Sequence, residues 1–275
     1  MDYYHIPATE LGRGSRLPLK VLGSSGEVFY EMALDMVREI ERNNAEGRRT
    51  TLICPVGPVG QYPIFVRLVN ERRLSLRDCW FFNMDEYLTS DGAWISADDA
   101  LSFRGFMDRN VYGRVEPDLL MPPEQRVFPD PKDPGHIDRL IDELGGIDLC
   151  LGGIGITGHL AFNEPEAGMS AERFGELPSR VVEIRPETRS TNCAADLGGA
   201  LEDMPTRAIT IGMRQILGAQ KIRLGVFRGW HRGVCRRAAY GEVTSEFPAT
   251  LAQGHPDALV YVNDVAASAA YEGKP

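Results

Sequence analysis

Two short stretches carry side chains that could move protons. The first, Asn83-Met84-Asp85-Glu86-Tyr87, follows an apolar run and sets two acids side by side. Neighbouring residues of an extended chain point to opposite sides, so at most one of these acids lines a cleft. A carboxylate at a strand end can carry a proton between adjacent carbons if its acidity and reach suit the task. It can equally cap the turn that follows. The second stretch, Leu151 to Pro165 (LGGIGITGHLAFNEP), supplies His159 and Glu164. Imidazole accepts and donates protons near neutral pH, and a carboxylate on its far ring nitrogen fixes its tautomer and raises its basicity. Glu164 can play that part if the Ala-Phe-Asn-Glu-Pro turn folds back; otherwise the histidine bonds its own loop.

Gly153, Gly155 and Gly158 spell G-x-G-x-x-G after an apolar strand, the outline of a dinucleotide loop. That loop needs a helix of about a dozen residues opening at the glycines. Here Pro165 follows within a run of loop residues, and the match falls mid-chain after several strand-helix units. The dinucleotide reading is rejected. The glycines serve a tight turn or a close backbone approach to a ligand.

The surrounding elements are those that place loops at strand ends. Ser24 and Glu27 form a capping box ahead of a helix in which Val28, Met32, Met36 and Ile40 recur every fourth residue. Thr50 to Pro55 and Asp78 to Phe82 read as strands, with a helix in QYPIFVRLVNERR between them. DDALSFRGFMDRNVY is expected to be helical, and a Pro-rich connection leads to a helix carrying Ile137, Leu140, Ile141 and Leu144. Further strands are expected at Arg180 to Ile184, Ala208 to Ile211, Ile222 to Phe227 and Ala258 to Val262, with a helix near Gly229 to Tyr240. Alternating strands and helices imply one α/β domain over residues 1–275 with a mostly parallel central sheet. In such sheets ligands bind outside the carboxyl ends of the strands, so the loops after Cys54, Phe82 and Leu151 are the ones to examine.

Composition narrows the classes. An apolar share of 43% and a charged share of 25% are ordinary for a globular chain. A net charge of −9 argues against a nucleic-acid or anionic-membrane surface. Cys54, Cys79, Cys150, Cys193 and Cys235 show no CxxC spacing, and three of them sit in apolar runs. A reduced, cytoplasmic protein is expected. The first residues lack the basic and apolar regions of a secretory signal, and no apolar run is long enough to span a bilayer.

FNMDEYL and GGIGITGHLAFNEP closely resemble the two signature loops of glucosamine-6-phosphate deaminases, which share a superfamily with 6-phosphogluconolactonases. SFRGFMDRNVY, PETRSTN, RAITIGMRQIL and HPDALVYVND extend the resemblance over nearly the whole chain. It implies a three-layer, Rossmann-like α/β sandwich that holds no nucleotide. It implies conversion of an amino-sugar phosphate to a ketose phosphate with release of ammonia, without metal or organic cofactor. By the same resemblance Asp85 moves a proton between C2 and C1, His159 opens the sugar ring, and Glu164 supports His159. The implied partner is a small sugar or sugar phosphate. Family members range from monomers to hexamers, which leaves a homo-oligomer open.

The chain also departs from the family pattern. Where the family loop reads G-x-D-G-H, this chain has Thr157 ahead of Gly158 and His159. The family phosphate loop is replaced by Pro55-Val56-Gly57-Pro58-Val59-Gly60, which loses two hydroxyls and one N–H donor. His231 stands where the family carries a phosphate-binding lysine, and Ala194 where it carries an arginine. Arg189, Arg228 or Arg232 are candidates to restore that charge. Arg180 and Val182 fall where regulated members place an effector-binding arginine and lysine, so that activation is not expected. The expected binding set is Gly57, Val59, Glu86, Gly155, Thr157, Gly158, Arg189 and His231, around a sugar that lacks the 6-phosphate or carries another group there. A lactonase and a silent sugar sensor are the alternatives; NMDEY and AFNEP favour the deaminase.

Overall fold

The structure, a computed structural model, describes residues 3–271. In chain order the elements are β1 (Leu19–Val21), α1 (Ser25–Ala45), β2 (Thr50–Cys54), α2 (Gln61–Glu71), β3 (Cys79–Asn83), β4 (Asp85–Leu88), α3 (Phe103–Met107), β5 (Arg126–Val127), α4 (Gly135–Glu143), β6 (Leu149–Gly153), α5 (Ala171–Gly175), β7 (Arg180–Glu183), α6 (Pro186–Asp196), β8 (Arg207–Thr210), α7 (Met213–Leu217), β9 (Lys221–Val226), α8 (His231–Tyr240), β10 (Ala258–Val262) and α9 (Asp264–Ala267). Seven strands form one all-parallel sheet in the order β1-β10-β9-β6-β2-β3-β5.

Strand periodicity explains why helices cover both faces of this sheet. Leu52 and Cys54 of β2, with Leu149 and Leu151 of β6, pack against Val28, Met32, Met36 and Ile40 of α1 and Phe65 and Val69 of α2. The residues between them, Ile53 and Cys150, turn the other way, toward Ile137 and Ile141 of α4 and Val234 and Ala238 of α8. Both faces are thus apolar, as in a parallel sheet buried between two helical layers. The capping box forms nearly as read. Ser24 accepts the Glu27 N–H, while the Glu27 carboxylate accepts from Gly23, one residue earlier than a reciprocal box requires.

The strand order reverses between β2 and β6. From β2 the chain moves through β3 to β5 on one side, and from β6 through β9 and β10 on the other. The carboxyl ends of these central strands therefore diverge into a crevice.

Three expectations are corrected. Asp85 to Leu88 is a strand rather than a loop, separated from β3 by Met84 alone. The segments expected at Arg180 and Ala208 do not enter the large sheet; β7, β8 and β4 make a separate three-stranded antiparallel sheet. Its register pairs Tyr87 with Ala208 and Asp85 with Thr210. Tyr87 and Ala208 then close a small core with Phe162, Ile184 and Cys193. The helix expected across DDALSFRGFMDRNVY opens only at Phe103, where Ser102 caps the Gly105 N–H, and widens into a π-helical turn at Asp108–Tyr112. Gly105 permits this course, because a Cβ there would overlap the Ala97 carbonyl. Gly105→Ala is expected to cost about 1–3 kcal/mol of stability, read from the shift of the urea unfolding midpoint.

Candidate active site

A cavity of about 670 Å³ opens over the carboxyl ends of β2, β3, β6 and β9. That size suits a small metabolite. Asp85, the first residue of β4, lines it, as does His159 from the loop after β6.

Asp85 is 7% exposed, and its carboxylate has no hydrogen-bond partner among the described residues. Burial, with the charge of Glu86 added, pushes the Asp85 carboxyl well above its usual range. Glu86 points away from the cavity. It is fully buried and accepts from Ser102 Oγ at 2.9 Å, the Phe103 N–H at 3.1 Å, and the Arg104 N–H and Nε at 2.9 and 3.2 Å. Its expected place in the binding set is corrected: the strand alternation that admits Asp85 turns Glu86 onto the start of α3, whose Phe103 lines the cavity.

The His159 loop is built by its glycines. The Gly155 N–H donates to the His159 carbonyl and the Gly158 N–H to the Gly155 carbonyl. Gly158 has φ +83°, and a Cβ on it would meet the Phe247 ring. A Cβ on Gly155 would overlap His159 Nε2, so its bare α-carbon makes room for the imidazole. Beyond them the Ala-Phe-Asn-Glu-Pro turn does fold back. Asn163 is pinned by bonds to the Leu160 and Ile211 carbonyls and by Arg180 at 2.7 Å, and Phe162 N–H donates to Thr210.

The folded turn brings Glu164 Oε2 to 3.2 Å from His159 Nδ1. Thr157 Oγ1 lies 2.9 Å from the same nitrogen and donates to Glu164 Oε2 at 2.7 Å. Thr188 of α6 adds a third oxygen at 3.3 Å from Nδ1. Nε2 has no protein partner among the described residues and stands beside Gly155 at the cavity wall. Burial pushes the Glu164 carboxyl up, but the bond and charge of His159, with lesser bonds from Thr188 and Thr157, outweigh it and leave the carboxyl below its ordinary value. Thr157 and Gly158, expected in the binding set, lie behind the imidazole and outside the cavity lining.

The candidate cations are also redistributed. His231 lines the cavity but is 4% exposed, with both ring nitrogens occupied. Nδ1 accepts the Phe227 and Arg228 N–H groups, and Nε2 donates to the Ile154 carbonyl at 3.0 Å. Burial, partly opposed by the Ile154 bond and reinforced by Arg228, pulls its pKa down to about 3. His231 is therefore neutral and ties the turn before α8 to the end of β6; it supplies no charge. Arg189 donates to the Leu201, Met204 and Pro205 carbonyls, and Arg232 to that of Val265. Both serve main-chain acceptors away from the cavity lining. Arg228 does line it, facing Asp196, whose carboxyl burial raises and Arg228 lowers, with a net upward shift. Gly57 and Val59 line it, beside Val56, Pro58, Phe29, Phe227 and Trp230.

Thr188, Asn192 and Asp196 escaped the sequence reading as site residues. Their i, i+4, i+8 spacing puts them along one stripe of α6, and Asn192 donates to the Tyr87 hydroxyl on the cavity wall. That spacing was the available signal. Among the described residues no group of His, Cys, Asp and Glu could hold a metal ion, and no helix is long and apolar enough to cross a membrane.

The overall fold is shared with solved structures. A monomeric glucosamine-6-phosphate deaminase, described as a missing link of the NagB superfamily, superimposes with a TM-score of 0.78 and 25% identity over 90% of this chain and 98% of that one. A 6-phosphogluconolactonase from Trypanosoma cruzi gives 0.65 and 17% over 90% and 95%, a likeness of fold alone. The fold is that of the NagB superfamily. The glucosamine-6-phosphate deaminase of Clostridium perfringens (strain 13 / Type A) is 30% identical over 245 residues, 88% of this chain and 94% of the relative. That of Bacillus velezensis is 31% identical over 212 residues, 76% and 83% of the two chains. No protein-family model matches the chain. At this level of identity and coverage the chain belongs to the glucosamine-6-phosphate deaminase family.

The raised acidity value of Asp85 sets a stability trend. Between the ordinary value near ~3.9 and the raised folded one, the folded state holds a proton that the unfolded state has released, and above the folded value Asp85 is ionised in both. Its contribution to stability therefore falls as pH rises from the unfolded value through the folded one. Asp85→Asn removes this burden. Its thermal midpoint is expected to exceed that of the parent protein at pH 8, with the difference shrinking toward pH 4.

Proposed function

We propose that the chain, residues 1–275, is a single-domain amino-sugar deaminase and aldose-ketose isomerase. One observation carries the reading: a buried carboxylate without a partner among the described residues, Asp85, and an imidazole bonded to Glu164, His159, share one cavity. His159 Nε2 takes the anomeric hydroxyl proton and returns one to the ring oxygen, opening the sugar. Glu164 stabilises the imidazolium formed in between, and its lowered acidity value keeps it ionised for that task. Ionised Asp85 then removes the C2 proton while the C2 ammonium passes one of its protons to the C1 oxygen, giving an enolamine with a C1 hydroxyl, and Asp85 delivers its proton to C1. The C2 iminium left behind adds water and expels ammonia, so Asp85 and His159 both end as they began.

The environment of Asp85 supports this role. Water-poor surroundings strengthen a carboxylate as a base, and the absence of protein donors leaves its lone pairs for the substrate carbon.

The apolar part of the cavity lining supports a sugar without the 6-phosphate. Val56, Pro58, Val59, Phe29, Phe227 and Trp230 form an apolar wall there. Among the described residues Arg228 is the one arginine or lysine in the lining, and Asp196 faces it, while His231 is uncharged. The Gly60 end of α2 still offers backbone N–H groups, but a dianion would meet little net positive charge.

Two measurements test the reading. Coupled detection of ammonia should show release from an amino sugar, and Asp85→Asn should lose at least about 10²-fold in kcat; full activity in that variant would refute the proton shuttle. Comparison of kcat/KM should favour an unphosphorylated hexosamine over glucosamine 6-phosphate by about tenfold, a difference of ~1.4 kcal/mol. The reverse preference would return phosphate to the substrate while leaving the deaminase chemistry in place.

A further inference from the structure

Resting on the reading of His159 as the proton carrier that opens the ring, the geometry points to Thr157 as a positioning residue. Its hydroxyl stands between imidazole and carboxylate as a directional relay, holding His159 in the Nδ1–H tautomer.

The direction follows from counting donors. Glu164 Oε2 belongs to an ionised carboxylate and can only accept. Thr157 has one hydroxyl proton, and Oε2 lies 2.7 Å from its oxygen, the shortest contact in the cluster. With that proton committed, Thr157 Oγ1 presents a lone pair to Nδ1 at 2.9 Å. Nδ1 must then carry the ring proton, and the lone pair falls to Nε2, the nitrogen beside Gly155 at the cavity wall. The direct contact from Nδ1 to Glu164 is longer, at 3.2 Å, and so is that to Thr188, at 3.3 Å. The hydroxyl is thus the primary partner of Nδ1 and passes on the carboxylate's pull through a polarised O–H.

Backbone geometry holds the relay. The turn closed by Gly158 N–H to the Gly155 carbonyl, with Gly158 at φ +83°, lets side chains two residues apart converge on one carboxylate. A hydroxyl also adds no charge. Among the described residues Glu164 is the one carboxylate bonded to the ring.

The wild-type protein tests the tautomer directly. ¹⁵N NMR of histidine-labelled enzyme, with His159 assigned by the loss of its signals in His159→Gln, should show a proton-bearing Nδ1 and a bare Nε2. A dominant Nε2–H form overturns the assignment whether or not the enzyme releases ammonia, so failure here is distinct from failure of the deaminase reading. In kinetics, Thr157→Val should lose about 10- to 100-fold in kcat with little change in KM, the scale of one hydrogen bond to a charged group. Thr157→Ser should recover to within about threefold of wild type, since it restores that bond. Thr157→Asp should move the acid limb of the kcat profile to higher pH. Wild-type kcat in Thr157→Val, a Thr157→Ser enzyme as slow as the valine variant, or an unmoved limb in Thr157→Asp would each overturn the relay.

Discussion

The peptide of Met84 is the joint on which the architecture turns. Its N–H donates to the Cys54 carbonyl at 3.0 Å, completing the parallel ladder, and its carbonyl accepts the Ile211 N–H at 2.7 Å, opening the antiparallel one. Within a single residue the chain leaves a sheet covered on both faces and joins one that stands over the crevice. Because this handover occurs at the carboxyl end of β3, the next side chain, Asp85, arrives where open α/β sheets bind ligands. The small core of Tyr87, Phe162, Ile184 and Ala208 then holds β4 in place.

The cavity separates two carboxylates by environment. Among the described residues Asp85 is left without donors, and its acidity value rises; Glu164 holds Thr157 and His159 on its Oε2, and its value falls. Their fates follow from hydrogen-bond supply, since both are largely buried. The fold meets the cost of a bare buried acid with the packing around it, as at other sites where function and stability diverge.

Much of the large sheet was legible because its signals are local. The continuous apolar runs of β2 and β6 mark strands buried on both faces, and the every-fourth-residue repeat of α1 states both its element type and its buried face. The antiparallel sheet was not, because β4, β7 and β8 are four residues each and their partners are distant in sequence. Nothing local tells such a strand which sheet it joins. Site residues divided the same way. Asp85 and His159 could be placed at strand ends by pattern. Glu86 and Arg189 were misplaced, and His231 lines the cavity without a charge, because charge and alignment do not reveal direction, and each turns to main-chain or helix-end partners. The spacing of Thr188 and Asp196 gained its meaning once α6 brought Thr188 to His159 and Asp196 to the cavity lining.

The division between Asp85 and Glu86 has a consequence for how such a protein changes over generations. One residue faces the chemistry, and the next bears the footing of α3, from which Phe103 and Phe106 reach the cavity wall. Their α-carbons are one peptide apart, about 3.8 Å. A substitution that tilts the wall's backbone is therefore felt by the acid as well, and selection against the second restrains the first. Drift in what the cavity accepts is channelled into the side chains that project from the wall, such as those of Phe103, Val56 and Val59, whose exchange leaves the shared peptide untouched.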